Sequence, residues 1–308
     1  HRIAPRAVLR TGAPTLPHIT ARDGTRLYYE ETGSGTPILF VHEFGGDWRS
    51  WEPQMRYFAR RYRCITFSAR GYAPSDIPED VERYSQAIAV DDMADILQSL
   101  EIEKAHVVGL SMGGFATLHF GLRYPQMALS LVVAGAGYGA EKQYEDYFRG
   151  VSLEVARQFE TRGAPEFSKT YSTAASRIIF QCKDPRGWLE FATQLGEHSS
   201  LGSARTMQGV QARRPSIYDL EPELKAMAVP TLVMVGDEDD HCLQPGIFLK
   251  RVIPACGLAV LPKAGHTLNI EEPALFNQLV SDFLATVEQG RWLARDPRST
   301  PAEIMKTS

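Results

Sequence analysis

The sequence predicts an α/β protein: a mostly parallel, twisted sheet flanked by helices and interrupted by an inserted helical cap. Three observations lead there. Short apolar runs alternate with segments of helical periodicity, as expected of strands covered by helices on both faces. One of these runs, Ala105-His106-Val107-Val108, passes through Gly109-Leu110-Ser111-Met112-Gly113 straight into a helix-like segment, Phe115-Ala116-Thr117-Leu118-His119-Phe120. The rhythm then breaks from Tyr138 to Leu224, where no strong strand is legible and helical spacing dominates.

The elements follow in order. After a proline-containing N-terminal arm, Leu27-Tyr28-Tyr29-Glu30 and Pro37-Ile38-Leu39-Phe40-Val41 read as strands joined by a tight turn at Gly33-Ser34-Gly35. Arg63-Cys64-Ile65-Thr66-Phe67 is the next strand. Ser85 is placed to cap a helix whose Met93, Ile96, Leu97 and Leu100 share one face. Leu131-Val132-Val133-Ala134 supplies a strand beyond the helix that Ser111 opens. Within the cap, Tyr144, Tyr147, Phe148, Val151 and Val155 form a stripe at helical spacing, which is read first as the cap packing on itself. Pro230-Thr231-Leu232-Val233-Met234-Val235 and Leu258-Ala259-Val260-Leu261 are the last strands, and Glu271-Glu272-Pro273 marks a helix start. The charged, proline-containing segment after Arg291 reads as a mobile tail. The division is therefore a core of residues 1–137 and 225–308 around a cap of residues 138–224.

Composition narrows the partners. The 308 residues carry 33 basic and 37 acidic side chains, a net charge of −4 without a long basic run, which argues against nucleic acid. No apolar stretch approaches the ~20 residues that a membrane-spanning helix requires. Cys64, Cys182, Cys242 and Cys256 lie far apart with no Cys-x-x-Cys spacing, so neither a disulfide framework nor a cysteine metal site is expected. A reducing, cytoplasmic compartment is the simplest reading. Residues 2–6 lack the apolar core of a secretion signal, although processing that removed one is compatible with the sequence. Nothing in the pattern speaks to oligomeric state.

The strand–turn–helix around Ser111 is a nucleophile elbow. A serine on so sharp a turn is pushed out of the sheet, and Gly109 and Gly113 are required because a side chain at either would strike a neighbouring strand or helix. Serine is a weak nucleophile at neutral pH and needs a base, which in turn needs an orienting acid. His266 follows the strand ending at Leu261 and precedes a helix start, which makes it the candidate base. The acid belongs after Gly236, where Asp237, Glu238, Asp239 and Asp240 compete. The same acids with His241 offer metal-ligand types, but adjacent ligands on one loop rarely converge without a second segment, and no metal is expected.

The order serine, acid, histidine resembles that of the α/β-hydrolase superfamily. The resemblance covers roughly residues 25–135 and 225–287. It implies that Asp239, in a Gly-x-x-Asp loop followed by Pro245, is the orienting acid. It also implies that His42-Glu43-Phe44-Gly45-Gly46, after an early strand, matches the His-Gly-x loop, so that the backbone N–H groups of Phe44 and Met112 form the oxyanion hole. His42 itself is structural in such proteins. Ser68-Ala69-Arg70-Gly71-Tyr72-Ala73-Pro74-Ser75 is similar to the family's Asp-x-Arg-Gly-x-Gly-x-Ser turn, a scaffold element. A cap in this family roofs the serine and sets substrate size, which offers a second reading of the aromatic stripe. The departure is Glu43, where glycine is usual; its carboxylate is expected to point away from the oxyanion, held by a basic neighbour such as Arg49 or Arg70.

A serine hydrolase acting on a small-molecule carboxylic ester or lactone through an acyl-enzyme follows, with no cofactor required. Serine at the elbow, where dehalogenases and epoxide hydrolases of the superfamily carry aspartate, argues against those chemistries. Hydrolysis of a C–C bond, thioester hydrolysis and peracid formation use the same triad; Thr267, where C–C hydrolases often have tryptophan, lowers the first. A ligand-binding protein on a hydrolase scaffold is the alternative from another class.

Overall fold

A computed structural model describes residues 16–300 and residue 305. Its strands are β1 (His18–Thr20), β2 (Arg26–Thr32), β3 (Pro37–Val41), β4 (Arg63–Phe67), β5 (Ala105–Leu110), β6 (Ala128–Ala134), β7 (Thr231–Gly236) and β8 (Cys256–Leu261). They form one sheet in the order β1-β2-β4-β3-β5-β6-β7-β8, parallel from β4 onward and antiparallel at β1–β2 and β2–β4. The glycine turn at 33–35 is thus not a hairpin. Because β4 lies between β2 and β3, the chain crosses to the far side of β4, and Gly33 at φ +81° passes so close to the backbone that a Cβ would lie 2.2 Å from the Tyr62 carbonyl oxygen.

Alternation along the central strands builds two cores. Leu39, Ile65, Val107, Leu131 and Val233 face α2 (Gln86–Ser99), α3 (Met112–Arg123) and α10 (Asp240–Val252), and their neighbours Ile38, Cys64, Val108, Val132 and Leu232 face α1 (Glu52–Phe58), α11 (Leu268–Glu271) and α12 (Pro273–Glu288). A sheet covered on both faces explains why its strands read as unbroken apolar runs. Ser85 caps α2 by accepting from the Ile88 N–H at 3.1 Å. Trp292 contradicts the mobile tail: its indole donates to the Ala255 carbonyl at 3.0 Å and packs edge-on to Phe283, so the chain stays docked just past Arg291. β1, only three residues long, went unread in the sequence.

Between β6 and β7 the chain forms α4 (Glu145–Arg162), α5 (Ala164–Tyr171), α6 (Ala175–Lys183), α7 (Pro185–Gly196), α8 (Ser200–Thr206) and a π-helical turn at Met207–Gln211. These helices bring Ala156, Phe159, Phe180, Phe191 and Leu195 onto Phe44, Tyr72, Tyr84 and Met112 of the sheet domain, a third apolar cluster that docks the cap over the carboxyl ends of the strands. Ile217 and Leu224, still within the 138–224 segment, are already buried with the sheet domain, beside α9 (Glu221–Ala226). Among the described residues no helix is long and apolar enough to cross a membrane, and the four cysteines are free thiols.

Candidate active site

Ser111 stands between β5 and α3 at φ +55° and ψ −115°, a backbone position that L-residues rarely adopt. The flanking glycines make it possible. A Cβ on Gly109 would lie 2.1 Å from the Gly113 carbonyl oxygen, and one on Gly113 would lie 2.0 Å from the Val41 carbonyl oxygen of β3. The turn is therefore closed against its own helix on one side and the neighbouring strand on the other.

His266 reaches the serine from the loop after β8, with Nε2 at 2.8 Å from Ser111 Oγ. Its Nδ1 lies 2.7 Å from Asp239 Oδ2 at the end of β7, and Asp239 Oδ1 accepts the Tyr138 hydroxyl at 3.0 Å. With the carboxylate accepting at Nδ1, the proton of the neutral ring sits there and Nε2 is left as the acceptor of the serine proton. Burial opposes charge on Asp239, yet His266 and the donors Cys242 and Tyr138 prevail and hold the carboxyl below its ordinary range. None of the competing acids bonds His266: Asp237 accepts the Ala264 N–H at 3.2 Å, Glu238 pairs with Lys263 at 2.6 Å, and Asp240 is exposed at the start of α10. Cys242 offers its sulfur to the same group as Asp239 and His266, all within 4.8 Å, but burial raises its thiol well above the usual value and keeps it protonated.

Two backbone N–H groups border the site, that of Met112, the residue after Ser111, and that of Phe44, which shares a cavity with it. The Met112 N–H is the first of α3, where the helix dipole favours negative charge, and the Phe44 N–H lies in the loop after β3. Neither has an acceptor among the described residues. The Phe44 peptide is fixed by its carbonyl, which accepts the Tyr72 hydroxyl at 2.8 Å. His42 fixes the peptide before it, donating from Nδ1 to the Glu43 carbonyl at 2.7 Å while Nε2 accepts the Ala69 N–H at 3.0 Å. Burial pushes the His42 pKa down to about 4, so it stays neutral and structural at ordinary pH.

Glu43 turns its carboxylate to the cap. Arg177 of α6 grips it with two bonds of 2.5 and 2.8 Å, both side chains at most 3% exposed. The two arginines expected beside Glu43 lie elsewhere: Arg49 pairs with Asp47 and Glu197, and Arg70 with Asp92 and Asp23. Arg177 lies 134 positions from its partner, and nothing in its local sequence marks it. Arg214, beyond the π-helical turn, is a second site residue without a sequence signal.

Cap and sheet domain enclose a cavity of about 620 Å³ that reaches Ser111, His266 and Phe44. Tyr144, Tyr147, Phe148, Val151 and Val155 all line it, so the stripe expected to pack the cap on itself is its wall. The reason is geometric: one helix face gives the same spacing whether it meets a core or an empty pocket.

A sequence model of the alpha/beta hydrolase fold matches residues 36–273. The chain belongs to this family. Among relatives of this α/β-hydrolase, 3-oxoadipate enol-lactonase 1 of Acinetobacter baylyi is 27% identical over 273 residues, spanning 88% of this chain and 97% of the relative. The 2-hydroxymuconate semialdehyde hydrolase of Pseudomonas sp. (strain CF600) is 27% identical over 275 residues, 86% of this chain and 92% of that protein. Of solved structures, a thermophilic esterase from Thermogutta terrifontis matches with a TM-score of 0.78 at 25% identity, covering 88% of this chain and 99% of the esterase.

Proposed function

We propose that this α/β-hydrolase cleaves a carboxylic ester or lactone, with Ser111, Asp239 and His266 as its catalytic triad and the Phe44 and Met112 N–H groups as its oxyanion hole. The observation that carries the reading is the unbroken chain from Asp239 through His266 to Ser111, which opens into a cavity that Phe44 also lines. A lactonase relative and an esterase of like structure support the ester or lactone bond as the one attacked.

His266 Nε2 takes the Ser111 proton as Oγ attacks the carbonyl carbon. The carbonyl oxygen gains a full negative charge and is met by the two N–H groups, each worth about 2.7–4 kcal/mol of barrier in comparable sites. His266 then gives the proton to the departing alkoxide, which in a lactone stays tethered to the acyl group. Water enters, loses a proton to the same nitrogen and attacks the acyl-serine, and the proton returns to Oγ as the acid leaves. Asp239 remains ionised throughout, holding the Nδ1–H and stabilising the imidazolium.

A panel of p-nitrophenyl esters of increasing chain length, run beside lactones and a C–C hydrolase substrate, tests the proposal. A burst of p-nitrophenol equal to the enzyme concentration is expected. Turnover of the C–C substrate alone would overturn the ester reading, and binding without any turnover would leave only a binding protein.

A further inference from the structure

Two arginines line the cavity, and only one of them has a counter-charge: Arg177 is neutralised by Glu43. Arg214 also lines the cavity, partly buried, and has no carboxylate within ion-pair distance among the described residues. Its bonds go to neutral oxygens: Nη1 to Gln211 Oε1, and Nη2 to the Tyr138 carbonyl at 2.8 Å. Glu145 borders a small adjoining cavity with Arg214 but pairs with Lys142 and Arg149. The guanidinium lies 3.6 Å from the Phe115 ring centroid and 5.0 Å from that of Phe148, so it packs on two aromatic rings.

An arginine carries five N–H donors, and two are used here. Burial without an anion lowers its pKa to about 9, which still leaves it charged at neutral pH. A desolvated cation without a counter-charge is costly, and a site that keeps one gains when an anion arrives. Its position suits a substrate. Arg214 holds the backbone of Tyr138, whose ring packs edge-on to His266 at 4.9 Å and whose hydroxyl bonds Asp239, and it stacks on Phe115, four residues beyond Ser111 on α3. One residue, Tyr138, therefore links the guanidinium to Asp239 and His266, and Arg214 lies on a wall of the same cavity as Ser111.

We propose that Arg214 binds a carboxylate carried by the substrate, so that this enzyme acts on esters or lactones that bear a free acid group; this rests on the ester-cleaving reading above. The planar fork, pre-positioned by its bonds to Gln211 and Tyr138, suits a carboxylate.

Calorimetry on Ser111→Ala separates recognition from chemistry. Two probe pairs serve: monophenyl glutarate against its neutral methyl ester, with the acid on the acyl part, and 4-acetoxybenzoate against its methyl ester, with the acid on the alcohol part. In at least one pair the anion is expected to bind tenfold or more tighter than its neutral counterpart at low salt. That ratio should fall towards one in Ser111→Ala/Arg214→Gln and persist in part in Ser111→Ala/Arg214→Lys. Equal or unmeasurable binding in Ser111→Ala overturns the proposal whether or not the double variants fold, and so does a ratio unchanged by Arg214→Gln. Phenol release by the native enzyme is scored apart: an Arg214-dependent preference without any phenol release would keep the carboxylate site and remove the ester-cleaving reading.

Discussion

Glu43 and Arg177 form a two-pronged buried ion pair that ties the loop of Phe44, a proposed oxyanion donor, to the cap. Where the family resemblance implies glycine, the Glu43 carboxylate here anchors α6 beside His266. Ser176, next to Arg177, places its carbonyl 3.4 Å from the His266 N–H.

Removing one partner should be costly. Glu43→Gln leaves Arg177 buried and uncompensated, and a loss of about 3–5 kcal/mol in unfolding free energy is expected. Glu43→Gln combined with Arg177→Met should regain most of it, because no charge is then stranded. Denaturant unfolding of the three proteins decides; equal stability of Glu43→Gln and the native chain would mean that the pair is not formed. No rate gain for simple esters is expected in Glu43→Gly, since the carboxylate is committed to Arg177 and does not face the oxyanion.

The same pair sets an acid limit. Burial opposes the charge on Glu43, but Arg177 prevails and holds its pKa below the ordinary carboxylate value. A depressed carboxyl pKa contributes stability that is fully present above the unfolded value, about 4.3, and is lost as pH falls through the folded one. The stability gap between native protein and Glu43→Gln should therefore be constant from pH 7 to 5 and close only below about pH 4. A gap already closing between pH 7 and 6 would contradict this sign.

Among the loop acids, Asp239→Asn should lower kcat by about 10⁴, since the amide no longer holds His266 in the tautomer that accepts the serine proton. Asp237→Asn and Asp240→Asn should change kcat by less than about tenfold. Steady-state kinetics on one chromogenic ester compares all three. A larger loss in Asp237→Asn would reassign the acid.

Much of the sheet and the Ser111 turn was legible because their causes are local. Strands buried on both faces must be apolar throughout, and Gly109 and Gly113 are demanded by carbonyls about 2 Å from any Cβ. The chain order of serine, acid and histidine could be read because each follows a strand end. What stayed hidden depends on tertiary placement. Arg177 and Arg214 sit in cap segments whose facing surfaces the sequence does not specify. The stripe from Tyr144 to Val155 has the spacing of a core face and lines a cavity instead. Trp292 docks a segment whose charge and proline content suggested none of it.

Covalent labelling decides whether Ser111 is the nucleophile. Native protein treated with a fluorophosphonate and mapped by peptide mass spectrometry should carry the label on Ser111 alone. Ser111→Ala should remain folded, take no label and lose about 10³–10⁶ in kcat for esters. A label on another residue, or ester turnover that survives in Ser111→Ala, would contradict the account.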